Sequence, residues 1–535
     1  MNLKGNIYLI VSCLAVIFAG CSKKWDEHNE VTNPILNQKL LDKINADPEL
    51  SKFSEYLVAT GYDSVLASSK TFTVWAPTNA ALQAVDPTLL DTEDELKLFV
   101  GNHLATQTYL TVATQPSFIR VKTLNGKNVT FSETTVDGSP LASKDFYVGN
   151  GVLHTISTAI IPKVSAWEYL MSTSTIQKAE LAALNYTFID YTKAEEIGVD
   201  ANGNTIYKPG SGVVTRNLYL NRVNISNEDS LYTYIVLTDE AFQAERTKLS
   251  RYYQLGIDPL TGYDSTAVLT NQNIIKDLAF KGVLDKENFP ASAYSVGDSV
   301  RFHLDKSAVV ETRQVSNGVV YVMNSINYDL MGAGGTYDPY TKIKPVVIQG
   351  ESANNNTDFL SVKTNTRPVR RDLDGKLFTQ IQVENHATAS YWARYKPSAV
   401  NSVKYKVVWR VVRQTNLVPA NAATATSGTD LTYFPMRVAF KTSALTTGFA
   451  YVPKPGVVPV LNSNGTQATD AAGKYIFAPD YEERTLGEYT VDKYYSSSLK
   501  FGANSRLPIY LVGNTTTGNG TNTLLLDYIK LIPIQ

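Results

Sequence analysis

The residues that could do chemistry in this 535-residue chain are few and scattered. Its five histidines are His28, His103, His154, His303 and His386, and no two lie close in sequence. Zinc sites need imidazoles or thiolates at set spacings, and neither H-x-x-x-H nor H-E-x-x-H occurs here. There is no G-x-S-x-G nucleophile elbow and no G-x-x-x-x-G-K phosphate loop. The glycine-rich run from Met331 to Asp338 lacks the strand-then-helix setting of a phosphate cradle, so it reads as a loop. Acid pairs exist in Asp480 with Glu482 and in Glu482 with Glu483. A glycosidase needs its two acids to flank a bond, about 5–10 Å apart, and surface solvation is the plainer account of these. No residue is assigned a catalytic role.

Binding chemistry is better represented. Sugars combine apolar CH faces with polar rims, so exposed aromatics beside hydrogen-bonding groups recognise them. In SYWARYKP, Ser390–Pro397, strand alternation puts Tyr391, Ala393 and Tyr395 on one face and Trp392, Arg394 and Lys396 on the other. A tryptophan that shares its face with two cations is expected at the surface. Trp392 and Arg394 are therefore candidate ligand-binding residues, as are Tyr494 and Tyr495 in DKYYSSS. Tyr252 and Tyr253 in RYYQLG form a further cluster. For any single cluster, edge packing or a protein interface is the plainer reading. Trp409, by contrast, shares its face with Tyr405, Val407 and Val411 and reads as core.

Lys and Arg number 49 against 50 Asp and Glu, a net charge of −1 that makes no electrostatic case for nucleic acid. The 32 tyrosines suit strand-rich folds. A single core rarely grows beyond about 250–300 residues, so two to four domains are expected. Residues 1–20 read as a secretion signal: Lys4 supplies the charge, Ile7–Phe18 the apolar run, and Ala19-Gly20 the small residues at its end. The run is too short to span a membrane.

Phe18-Ala19-Gly20-Cys21 resembles the bacterial lipobox, which implies acylation of Cys21 as the new N-terminus. A signal peptide that merely contains a cysteine is the alternative. Cys13 would leave with the signal, so the mature chain would hold one thiol and no internal disulfide. Residues 21–35 read as a polar tether. Its acids just after Cys21 look like the surface-export signals of Bacteroidetes lipoproteins, which implies a lipid-anchored outer-membrane protein facing outward.

Positioning elements follow. Apolar spacing predicts helices within residues 36–58, then the strand KTFTVWAP ended by Pro77, with Thr78 or Asn79 capping a short helix. DTEDELKLFVGNHLA predicts a helix with an acidic start, and short strands lead to GNGVLHTISTAIIP. Phe72–Leu82, Asn102-His103-Leu104 and Asn150–Pro162 together resemble the fasciclin (FAS1) family, over residues 36–163. The resemblance implies an α+β domain in which His103 and His154 bond within the fold. YTYIVLTDEAFQAE (232–245) and NGVVYVMNSI (317–326) repeat the pattern in degenerate form, with Leu237 for the proline and Tyr321 for the histidine. A second fasciclin-like domain is thus expected over 164–349, with an insertion from Tyr186 to Ser230.

A linker is expected at 350–366 and an all-β sandwich at 367–535, from alternating strands between Gly, Asn, Thr and Pro segments. The ending LLLDYIKLIPI looks like the last strand of jelly-roll carbohydrate-binding modules. That resemblance implies a structural calcium, for which Glu384 and Asp527 are the candidates; ordinary charged strand residues are the simpler account. Taken together, the chain resembles accessory lipoproteins of SusC/SusD-type uptake systems. The implied function is non-enzymatic capture or presentation of a glycan beside an outer-membrane importer. The alternative is adhesion or protein–protein assembly, and a hydrolase with an unrecognised acid pair is a third reading.

Overall fold

The computed structural model describes residues 37–114, 117–255, 265–351, 358–361, 365–366, 369–372, 374–397, 399–413, 435–495, 506–518 and 522–535. Cys21, the signal and the tether lie outside these residues, as do 352–357 and 362–364 of the expected linker. Two compact units are present. Of the described residues, one takes in those up to Ser172 with Ile225–Tyr232 and Arg313–Val319; the other takes in those of Thr173–Asn224, Thr233–Thr312 and Val320–Gln535. Among the described residues no helix is long and apolar enough to cross a membrane.

In the first unit, helices α1 (Leu40–Asn45) and α2 (Ser51–Ala59) precede strand β1 (Phe72–Pro77), which is buried at every position. Proline cannot donate to a ladder and ends the strand at Pro77. Thr78 then caps α3 (Asn79–Gln83), its hydroxyl accepting the Ala81 N–H at 3.2 Å. Helix α4 (Glu93–Gly101) opens on a capping box between Thr92 and Glu95. Strands β2 (Leu104–Thr106), β3 (Phe118–Lys122), β4 (Asn128–Ser132), β5 (Thr135–Val136), β6 (Ser139–Val148) and β7 (Gly151–Ile156) complete a sheet of order β2-β1-β7-β6-β5-β4-β3. A bridge from Ala105 to Thr123 brings its two ends together. Phe53, Leu57, Phe72, Val74 and Phe99 fill the helix-side core, while Trp75, Val121, Phe131 and Ile156 fill the other. β1 and β7 run parallel and close: a Cβ on Gly151 would stand 2.0 Å from the Phe72 carbonyl oxygen, so only glycine fits.

The expected repeat has the same strand order. Strand β8 (Tyr232–Leu237) leads into α5 (Asp239–Leu249), with Thr238 accepting the Ala241 N–H at 3.2 Å. With β9 (Ala279–Lys281), β10 (Val309–Val315) and β11 (Gly318–Met323), the order is β9-β8-β11-β10, matching β2-β1-β7-β6. A Cβ on Gly318 would stand 1.9 Å from the Tyr232 carbonyl oxygen. The expected insertion folds as two hairpins, one nested in the other: Asn185–Ile189 with Val213–Asn217, and Glu196–Val199 with Thr205–Tyr207.

The C-terminal part places two sheets over one core. Strands β12 (Val346–Gln349), β13 (Trp392–Tyr395), β14 (Lys404–Arg410), β15 (Arg437–Phe440), β16 (Arg484–Thr490), β17 (Ile509–Val512) and β18 (Tyr528–Ile534) give orders β12-β18-β14-β16 and, beside Asp358–Phe359, β13-β17-β15. Tyr391, Tyr395, Tyr405, Trp409, Val438, Ile509 and Leu531 share the core between them. Val346–Gln349 pairs with the last strand, and Asp358–Phe359 pairs with β13, so the polar stretch from Gly350 connects two strands of one sandwich.

Candidate functional site

The alternation read for SYWARYKP holds on its inner face: Tyr391, Ala393 and Tyr395 are fully buried. The outer face is only half-exposed, because distant strands supply partners. Trp392 packs edge-on against Tyr510 at 5.1 Å, and the Arg394 guanidinium lies 5.5 Å from the Trp392 ring. Asp358 accepts from Arg394 at 2.6 Å and pairs with Lys396 at 2.6 Å; these two cations hold its carboxyl below the usual range. The guanidinium is therefore already engaged. Tyr495 is buried, exchanging backbone bonds of 2.8 Å with Val400. Tyr494 is half-buried and meets Tyr253 edge-on at 5.3 Å. Its N–H donates to the Gln254 carbonyl at 2.7 Å, and Asn401 and Ser402 bond the Tyr252 carbonyl at 3.1 and 3.0 Å. Residues 251–254 thus fasten the repeat to the sandwich within the second unit, and Tyr252, Tyr253 and Tyr494 serve that junction while Tyr495 packs in the sandwich core. Trp409 is core.

Asp480 and Glu483 are engaged as well. Asp480 accepts Arg484 at 2.7 and 3.1 Å and the Glu482 N–H at 3.1 Å, which organises the turn; Glu483 accepts the Tyr528 hydroxyl at 2.6 Å and Lys530. A cleft of 340 Å³ opens beside Lys454, Asp480, Glu482 and Arg484. Asp527 is buried, which pushes its carboxyl up to about 6, against the pull of Arg410 at 3.1 Å. Arg410 also donates to the Tyr481 carbonyl at 2.8 Å, so a guanidinium supplies the positive charge at this point. Glu384 is exposed and accepts from Gln382. Among the described residues no group of three or more His, Cys, Asp or Glu is arranged to hold a metal ion.

The histidines of the first unit bond the backbone. His103 Nδ1 donates to the Phe99 carbonyl at 2.9 Å while Nε2 accepts the Ile160 N–H at 2.9 Å. Burial drives its pKa down to about 4, and the Phe99 carbonyl only partly opposes this. His154 Nε2 donates to the Tyr109 carbonyl at 3.0 Å and Nδ1 accepts the Asp145 N–H at 3.2 Å; burial lowers its pKa too. His386 is buried on the Tyr391 ring, 4.3 Å away, and bonds the Asn522 carbonyl.

One aromatic cluster carries no local sequence signal. Tyr294 and Tyr340 are exposed and meet edge-on at 5.2 Å around Arg301. They lie 46 residues apart (340 − 294) and are joined only by tertiary pairing.

The family model described as the fasciclin domain matches residues 48–162. Over 131 residues the chain is 29% identical to the transforming growth factor-beta-induced protein ig-h3 of Sus scrofa, a match spanning 23% of this chain and 19% of that protein. Among solved structures, a FAS1 domain pair from the insect cell adhesion molecule Fasciclin I is 13% identical, covers 52% of this chain and 96% of its own, and has a TM-score of 0.21. A family 35 carbohydrate-binding module from Clostridium thermocellum is 11% identical, covers 36% of this chain and 99% of its own, and has a TM-score of 0.19. Residues 48–162 of this multidomain, mostly sheet chain are a fasciclin domain.

Proposed function

We propose that the protein is a non-enzymatic surface protein whose fasciclin domain makes protein contacts, in adhesion or in assembly. The observation that carries this is the fasciclin match itself, in a domain where His103 and His154 are spent on backbone bonds. That leaves a rigid scaffold that can present a surface. The engaged acids at Asp480 and Glu483 support a binding role over hydrolysis. Anchorage to the outer membrane through lipid on Cys21, a degenerate second fasciclin domain and a jelly-roll end belong to the same proposal. So does service beside a SusC/SusD-type importer.

Lysine cross-linking on intact producing cells tests it. Peptides of another protein should be joined to lysines of residues 48–162, such as Lys52 and Lys97. Cross-links confined to the chain itself would overturn the reading.

A further inference from the structure

We propose that Tyr294, Tyr340 and Arg301 form a corner that binds a neutral pyranose of a glycan. This goes beyond the protein contacts of the fasciclin domain and does not depend on them. Tyr294 is 47% and Tyr340 43% exposed, and they meet edge to face with planes inclined at 69°, so the ring faces outside that contact stand at an angle to each other. The Arg301 guanidinium lies 5.9 Å from one ring and 5.5 Å from the other.

The corner is held before any ligand arrives. Tyr294 and Arg301 are cross-strand partners, the Arg301 N–H donates to the Tyr340 carbonyl at 2.8 Å, and the Asp329 N–H donates to the Arg301 carbonyl at 3.0 Å. Arg301 Nη1 donates to Asp329 at 2.6 Å and to Asp338 at 2.9 Å, and Nε to the Tyr294 hydroxyl at 3.4 Å. Among the described residues, Nη2 and the Tyr340 hydroxyl have no partner. Fixed rings and a fixed donor lose little freedom on binding.

Charge and shape select the ligand. His303 lies between the Asp329 carboxylate at 2.9 Å and the Ala291 carbonyl at 3.1 Å, an arrangement that suits both ring nitrogens as donors. With His303 protonated, Arg301 and His303 offset Asp329 and Asp338 within the corner, and Lys344, which also acts on Asp338, is held on the Pro339 carbonyl at 2.6 Å. A pyranose offers a CH face to a ring and equatorial hydroxyls to Nη2, the Tyr340 hydroxyl and the carboxylates.

Affinity electrophoresis of the full chain in gels containing glucan, xylan or galactomannan, with polygalacturonate as the acidic comparison, tests the proposal. At least one neutral polysaccharide should retard the chain, and Tyr294→Ala and Tyr340→Ala should each weaken retardation at least tenfold. Trp392→Ala should leave it unchanged. Nitration of the unsubstituted protein by tetranitromethane gives a readout that needs no variant to fold. The bound polysaccharide should protect Tyr294 and Tyr340 while Tyr475, 57% exposed, stays reactive. The proposal is overturned if no neutral polysaccharide binds, or if binding leaves both tyrosines unprotected. Loss in Trp392→Ala alone would also overturn it, by moving sugar binding to the other cluster.

Discussion

The fasciclin domain and its degenerate repeat hold the same loop with different side chains. In the first, His154 donates to the Tyr109 carbonyl; in the second, Tyr321 takes that strand position, and its hydroxyl donates to the Leu284 carbonyl at 2.7 Å and accepts the Lys286 N–H at 3.2 Å. Thr73 donates to the Gln107 carbonyl at 2.9 Å and accepts the Tyr109 N–H at 2.8 Å. Thr233 does the same with Gly282 and Leu284, at 2.9 and 2.8 Å. Asn150 accepts the Leu40 N–H and donates to the Leu66 carbonyl. Asn317 accepts the Ala166 N–H and donates to the Ile225 carbonyl. Buried backbone groups must be paired, so what persists is a donor and an acceptor at each place rather than a residue type.

Where the copies part is the position before β2 and β9. Trp75 bonds the His103 carbonyl as Ile235 bonds that of Leu278, so Asp277 stands where Asn102 does. Asn102 is a neutral hub for Asn125 and the Ile160 carbonyl. Asp277 is a fully buried carboxyl that pairs with buried Lys342 at 2.6 Å while accepting from Ser295 at 2.8 Å. Burial lowers the Lys342 pKa, against the pull of Asp277. The largest effect should come from splitting this pair. Lys342→Met should destabilise the second unit by about 3–5 kcal/mol, because an unpaired carboxylate stays buried, whereas Asp277→Asn with Lys342→Met should recover most of the loss. Urea unfolding followed by fluorescence measures both. A Lys342→Met protein within about 1 kcal/mol of the parent would show that Asp277 is as neutral a hub as Asn102.

The next contrast is acid sensitivity. His103 has a folded pKa of about 4, below the unfolded value of about 6.5. Its neutral form is favoured by folding, so its contribution is complete above pH 6.5 and is lost as pH falls towards 4, on the order of 3 kcal/mol. His154 acts in the same direction. The repeat has Leu278 in place of His103 and no such slope. In the second unit Asp527, raised to about 6 by burial, runs the other way: its contribution is present below about pH 3.9 and lost as pH rises through 6. Lowering pH from 7 to 4.5 should therefore weaken the first unit selectively, and His103→Gln should flatten its slope. Hydrogen exchange at the two pH values resolves the units, and equal loss in both would break the contrast.

The parts of this comparison that could be read from sequence are local. Pro77-Thr78 and Asn150-Gly151 carry their geometry in adjacent residues, and strand alternation alone sends Tyr391 and Tyr395 inward. Long-range pairing hid the rest. Trp392 is covered by Tyr510, 118 residues on (510 − 392), and Arg394 is neutralised by Asp358. Tyr494 finds Tyr253 only through the junction of repeat and sandwich. No spacing rule joins Tyr294 to Tyr340, because their meeting depends on which strands pair.

The smallest difference lies at the helix caps. Thr78 and Thr238 each accept one N–H at 3.2 Å, and each is half-buried, so Thr→Ala should destabilise each copy by about 1 kcal/mol. The two losses should not be identical. Asp239 and Glu240 stand in the first turn of α5 and favour its N-terminal dipole, whereas α3 has no acid there. Thr78→Ala should therefore do the greater damage, by a few tenths of a kcal/mol. Thr→Ser at either site should keep the bond and restore stability. Matched denaturation of the four variants decides it: a larger loss at Thr238 would mean that the length of α5, at 11 residues against 5, matters more than the charges in its first turn.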